Sequence, residues 1–238
     1  MNLTIGIADP ERVLVFTTPT NLAELSKADL IAVDGTFSCV PALFTQLWTV
    51  HARVYGSFLP LAYALLPNKR ESLYIDVLSH LVSLAPGRNS FFFSFFPDIV
   101  NDIYAGLNPS CVIMDFEKSQ ENAARSVFPN SLVHGCHFHY AQALWRKISE
   151  LGLSPLYKAG GDVQVALRNF IALPFVPETE VERAFAFCSD VLEDTSASVM
   201  AICSFIDYFK HTWVGKKFRN GRDVAPLFPI AMWNVYKV

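Results

Sequence analysis

Two aspartates, each closing a short apolar run, are the residues of this sequence best placed to do chemistry. Asp115 ends the run Cys111-Val112-Ile113-Met114 and is followed by Phe116, Glu117 and a helical pattern. A buried run that ends on an acid carries a carboxylate to the carboxyl end of a strand, where open α/β sheets place their ligands. Asp34 ends a second such run, Leu30-Ile31-Ala32-Val33, and leads into Gly35-Thr36-Phe37. If the two strands lie side by side, Asp34 and Asp115 converge. Each acid also has a plainer reading alone: Asp34-Gly35 as a turn pair, Asp115 as a helix cap. Glu117 stands open between a first-turn acid favoured by the helix dipole and an auxiliary carboxylate.

Two further groups follow. Cys136-x-x-His139 has a spacing that suits zinc, but a closed structural site needs four ligands, and only His134 and His137 lie close in sequence. The expectation is a satisfied buried thiol and imidazole that hold the base of the following helix without forming a complete zinc site. The late stretch from Lys210 to Arg222, with Lys216, Lys217 and Arg219, mixes basic and aromatic residues that could meet phosphates or line a solvated loop.

The elements that must position these residues are legible from periodicity. Val13-Leu-Val-Phe16 reads as an edge strand, and Asn21 to Ala28 as a short helix capped by Thr20 or Asn21. Leu30 to Phe37 is the first acid-ended strand. Thr45 to Tyr55 alternates Trp48, Val50, Ala52 and Val54 against Thr49, His51 and Arg53, and Phe58 to Leu66 follows as a strand placed near an edge by Pro60. Asn68 and Glu71 have capping-box spacing before the stripe Tyr74, Val77, Leu78, Leu81 and Val82, which Pro86-Gly87 closes. After Asp115, Ala123, Ala124, Val127 and Phe128 mark a helix that Pro129 stops, and Ser131 to His139 reads as a strand running into another helix. A right-handed crossover can then bring the Asp115 strand beside the Asp34 strand in a mixed α/β sheet flanked by helices. From Ala141 onward only helical patterns remain, through Ile148, Val163 to Leu173, Val181 to Leu192 and Ile202 to Trp213. The expected division is residues 1–152 as the α/β core and 153–238 as an all-helical region.

Composition bounds the function. With 52% hydrophobic and 17% charged residues the chain fills a core rather than remaining disordered. No apolar run reaches membrane-spanning length, since Ser94 and Pro97 interrupt or end the phenylalanine cluster Phe91 to Phe96, and His51 and Arg53 divide the segment from Leu47 to Leu66. No secretory signal is visible in the first twenty residues. Five scattered cysteines suit a reducing compartment. A net charge of −3 argues against tight unaided binding to nucleic acid, which draws its affinity from neutralised phosphates, and leaves only local basic patches.

Asp34-Gly-Thr-Phe37, Pro41, Phe44-Thr-Gln-Leu47, His51, Pro60-Leu61, Tyr63-Ala-Leu-Leu66, Asp115-Phe-Glu117, Phe128-Pro129 and Gly135-Cys136-His-Phe-His139-Tyr-Ala-Gln142 together resemble the transposase domain of Mutator-like elements. The resemblance extends through Phe175-Val-Pro177, Tyr208, Thr212-Trp213 and Trp233-Asn234. It implies a ribonuclease H-like fold with an inserted helical region, and a three-acid site that uses Mg²⁺ or Mn²⁺ to cut and rejoin DNA. On that reading Asp34 and Asp115 are the first two acids and metal ligands, Glu117, Cys136 and His139 are auxiliary, and Lys216, Lys217 and Arg219 contact DNA. Partners would be element-end and target DNA, the location the nucleus, and a homo-oligomer stays open. The family's third acid, a glutamate, follows the tryptophan-asparagine element, and here the sequence runs only four residues beyond Asn234. Glu178, Glu180 and Glu182 belong to other parts of the pattern, and the family's amino-terminal zinc finger has no counterpart. The expectation is therefore a truncated, inactive transposase, or alternatively a domesticated module that keeps the fold for binding DNA or protein without catalysis.

Overall fold

In the computed structural model, residues 2–5, 11–85, 106–195, 199–217 and 223–236 are described. Pro86-Gly87, the phenylalanine cluster at 91–96 and Arg219 lie outside them. From the amino end run β1 (Asn2–Ile5), β2 (Val13–Thr17), α1 (Pro19–Ser26), β3 (Leu30–Thr36), β4 (Gln46–Val54), β5 (Ser57–Leu66) and α2 (Glu71–Leu84). Then come β6 (Cys111–Met114), α3 (Lys118–Val127), β7 (Leu132–Gly135) and α4 (His137–Glu150). The remainder is α5 (Ser154–Ala159), α6 (Asp162–Ala172), α7 (Val181–Glu193), α8 (Val199–Phe209), the two-residue strands β8 (Lys216–Lys217) and β9 (Asp223–Val224), and α9 (Ile230–Trp233). Backbone contacts divide the chain into two compact units, Met1–His134 and Gly135–Val238.

The first unit is built on a mixed sheet with strand order β1-β2-β5-β4-β3-β6-β7. β3, β4 and β5 form an antiparallel meander, and β2 adds to its outer edge. β6 pairs with β3 in parallel, which requires the long crossover through α2. Along β3 and β6, Ile31, Val33, Val112 and Met114 are buried, while the alternate positions Ala32, Asp34 and Ile113 are half-buried. Trp48 and Val50 on β4 join that core, and α2 lays Tyr74, Val77, Leu78 and Leu81 into it. α3 packs on α2 through Ala123 and Ala124, whose small side chains allow close approach. Glu121 is buried on the same helix, and Lys118 and Arg125 pair with it at 2.9 and 3.0 Å.

Several local features differ from the sequence-based reading. β5 is an interior strand, not a near-edge one, because β2 covers Ala62 to Leu65. Pro60 is tolerated because it lies outside that stretch and faces His51 at an irregularity in the β4–β5 register. The cap of α1 is Thr18, whose Oγ1 accepts from the Asn21 amide at 3.1 Å, with Pro19 in the first turn. At α2 no capping box forms: Asn68 Oδ1 accepts from Arg70 N and Nε instead, and Glu71 accepts from Asn122. α8 ends earlier than Trp213, and Lys210–Val214 widens into a π-type turn that Gly215 closes at φ 97°.

The second unit is held by aromatic rings. Tyr140 on α4 donates its hydroxyl to Phe170 O at 2.7 Å, stacks on Trp233 with centroids 5.4 Å apart, and meets Trp213 edge-on at 4.9 Å. Phe170, Phe185, Phe205 and Phe209 complete the cluster. Trp233 Nε1 donates to Trp213 O, Asn234 Nδ2 to Val176 O, and Val235 N to Pro174 O, so the last described turn is tied to the middle of the unit. Trp233→Ala should destabilise the protein by about 3–5 kcal/mol, since it removes a buried ring and a hydrogen bond together. Urea unfolding of the full chain measures this, and a loss below about 1 kcal/mol would show that the ring cluster does not support the unit.

Candidate metal site and its surroundings

The β3–β6 register brings the two acids together. Leu30 pairs with Cys111, Ile31 with Val112 and Ala32 with Ile113. Continued two residues further, the same register sets Asp34 opposite Asp115. In a parallel pair such residues share a face, and carboxylate oxygens of Asp34 and Asp115 lie within 4.8 Å of one another. Both residues are half-buried, so the site is open enough to exchange with solvent and closed enough to strengthen its field. The donor set fits a divalent cation: two hard carboxylate oxygens at a spacing that one ion, or two sharing a carboxylate, can span.

Behind Asp34, Thr49 Oγ1 donates to the Asp34 backbone carbonyl at 3.3 Å and lies 2.8 Å from His51 Nε2. Burial pushes the His51 imidazole below its ordinary range, and the Asp34 carboxylate only partly opposes this. His51 is thus neutral at pH 7 and fixes Thr49 rather than neutralising the acids.

Glu117 sits at the start of α3, but its side chain does not cap the helix. It accepts from Lys69 Nζ at 3.0 Å through Oε2, and from Tyr74 Oη at 2.8 Å and Ser119 Oγ at 3.0 Å through Oε1. Tyr74 in turn accepts from Gln46 Nε2 at 2.6 Å. Burial, above all, pushes the Tyr74 phenol well up, and it stays a hydroxyl donor across the physiological range. Trp48 Nε1 donates to Gln120 Oε1 at 3.3 Å beside it. Sequence reasoning missed this cluster, because Tyr74 falls on the apolar stripe of α2 and its polar end leaves no periodic signal.

Within the second unit, Cys136 precedes α4 and His139 stands in its first turn. A hydrogen bond from the His139 side chain holds the Cys136 thiol below its ordinary range, against the opposing effect of burial. Lys216 lies on β8, 3.4 Å from Asp207, and Lys217 pairs with Asp223 through its backbone. Cys188, by contrast, is pushed up to about 11 by burial. At pH 7 Cys136 should therefore alkylate faster than Cys188, and His139→Ala should move the Cys136 pH–rate midpoint upward. Peptide-resolved mass spectrometry after timed iodoacetamide treatment checks this; an unmoved midpoint would remove the hydrogen bond as the cause.

No helix among the described residues is long and apolar enough to cross a membrane. No curated protein is similar enough to match the chain. The segment from the first residue of β3 into α4, which includes Asp34, Asp115, Glu117, Cys136 and His139, matches a family of DNA-mobilising enzymes, and the match points to a transposase-related function with DNA as partner and divalent metal as cofactor class. Residues 30–143 match the family model described as MULE transposase domain.

Proposed function

We propose that the chain is the catalytic portion of a Mutator-like DNA transposase, with a ribonuclease H-like core over residues 1–152 and a helical region from 153 to 238. The observation that carries this reading is the Asp34–Asp115 pair, with oxygens within 4.8 Å at the ends of adjacent parallel strands inside the matched segment. The antiparallel β3-β4-β5 meander with β6 added in parallel on the β3 side supports the ribonuclease H-like assignment.

Asp34 and Asp115 would hold Mg²⁺ or Mn²⁺, which when bound supplies positive charge to a scissile phosphate and activates an attacking water or DNA 3′-hydroxyl. The two carboxylates attract a cation with their combined charge, and a bound cation would relieve their mutual repulsion. Thr49 and His51 keep the Asp34 backbone in place while that charge changes. Lys216, Lys217 and Arg219 would meet backbone phosphates, and the reading locates the protein in the nucleus with the DNA it acts on. The family's third acid is a glutamate, and among the described residues the carboxylates brought together at the site are those of Asp34 and Asp115.

Titration of the full chain with Mn²⁺ should reveal binding that Asp34→Ala and Asp115→Ala each abolish, while the exposed Asp76→Ala leaves it intact. Binding that survives both site substitutions would reject the site. Strand cutting or joining of element-end DNA by these 238 residues should stay below detection, since each 1.4 kcal/mol of missing transition-state contact lowers the rate about tenfold. Cleavage that both substitutions remove would instead show that another acid of this chain completes the triad.

A further inference from the structure

Resting on the cation-site reading, we propose that Gln46, Tyr74 and Glu117 form a positioning strut that sets the separation of the Asp34 and Asp115 carboxylates and thereby tunes the site to a small cation. The strut joins the two backbones just beyond the acids. At one end is Gly35, next to Asp34: a Cβ built there would lie 2.9 Å from Gln46 Oε1, so the glutamine rests directly against that backbone. At the other end is Glu117, two residues past Asp115 and the first turn's entry to α3. Between them run Gln46 Nε2 to Tyr74 Oη at 2.6 Å and Tyr74 Oη to Glu117 Oε1 at 2.8 Å. Gln46 and Tyr74 are both fully buried.

The direction of these bonds is fixed by proton count. An ionised Glu117 only accepts, so it takes the single hydroxyl hydrogen of Tyr74, and Gln46 must then present its N–H to the phenol oxygen. Its own Oε1 is left buried against Gly35 with no hydrogen-bond partner. An orphaned buried acceptor is a free-energy cost, and it persists here because turning the amide would take the tyrosine proton away from Glu117. Lys69 and Ser119 also donate to Glu117, so its carboxylate is held by three donors. Lys69 also lies over the Phe37 ring at 4.2 Å, a second link from the segment after Asp34 to Glu117. Gly35, Gln46, Phe37, Lys69, Tyr74 and Glu117 thus brace the two strand ends from behind.

A brace of this kind discriminates between ions of equal charge. Mg²⁺ demands near-octahedral oxygens at about 2.0–2.1 Å, whereas Ca²⁺ accepts about 2.3–2.6 Å and flexible geometry. Loosening the strut should therefore cost Mg²⁺ far more than Ca²⁺. Loss of charge alone, or loss of fold, would weaken both ions alike.

The test is calorimetric titration of the full chain with Mg²⁺ and with Ca²⁺. Tyr74→Phe and Glu117→Ala should lower Mg²⁺ affinity about 10- to 100-fold, the usual effect of losing a partner that orients a metal ligand, and leave Ca²⁺ affinity nearly unchanged. Glu117→Gln, which keeps an acceptor for the Tyr74 hydroxyl, should retain the Mg²⁺ to Ca²⁺ ratio. If Tyr74→Phe fails to fold, the half-exposed Glu117→Ala carries the comparison. Asp34→Asn separates the two failures. If it abolishes binding of both ions while the strut variants keep the native ratio, the strut is overturned and the cation site stands. If it leaves binding intact, or the unmodified chain binds neither ion, the cation site is rejected and the strut with it.

Discussion

The parallel pairing of β3 with β6 is the constraint on which the rest of the first unit depends. It sets two carboxylates side by side, and at the 4.8 Å that bounds their separation the mutual repulsion is about 1 kcal/mol in a water-like dielectric and about 3–4 kcal/mol at an effective dielectric of ~20. Nothing in the strand pairing itself compensates for that. The offset comes from the opposite parity of the same two strands, where Ile31, Val33, Val112 and Met114 are buried against helices. A one-residue slip of β6 would part the acids but turn Val112 and Met114 to the wrong face. The register that is costly on one face is enforced by the other.

The second unit solves a different problem by different means. Among its described residues it has helices of modest length and a two-stranded ribbon of two-residue strands, so little of their order comes from a sheet. Rings take that role. Tyr140 spends its hydroxyl on a backbone carbonyl and both faces of its environment on tryptophans, which lets a polar atom sit in the centre of an apolar cluster without an unmet hydrogen bond. Trp233 and Asn234 show why residues far along the chain can resemble a family pattern without taking part in its chemistry: both are buried and bonded to carbonyls within the unit.

What the sequence made legible follows from which signals are periodic. β3 and β6 were readable because an apolar run ending on an acid has both a pattern and an end. The alternation of Trp48, Val50 and Ala52 against Thr49 and His51 likewise marks β4, with one face buried. Caps were less readable: Thr18, Thr20 and Asn21 are all competent cap residues, and Pro19 settles the choice only when its own first-turn position is counted. Pro60 misled for a related reason. The rule against proline concerns a missing donor, and whether a donor is needed depends on how far the neighbouring strand extends, which no local pattern encodes.

Glu117 marks the deeper limit. Its type and its place two residues after Asp115 suit an auxiliary carboxylate and equally a helix first-turn acid. Its oxygens accept from Lys69, Tyr74 and Ser119, from the loop before α2, from α2 and from α3. Two of those three donors stand more than forty positions away in the chain, and one is a tyrosine whose ring follows the apolar period of its helix. A carboxylate's role depends on which donors reach it, and donors that arrive from the far side of a crossover are fixed by topology. The same crossover that brings β6 beside β3 also brings α2 beside the segment after Asp115. The pairing of Asp34 with Asp115 and the donors that reach Glu117 are therefore set by one feature of the fold, and spacing along the sequence cannot encode it.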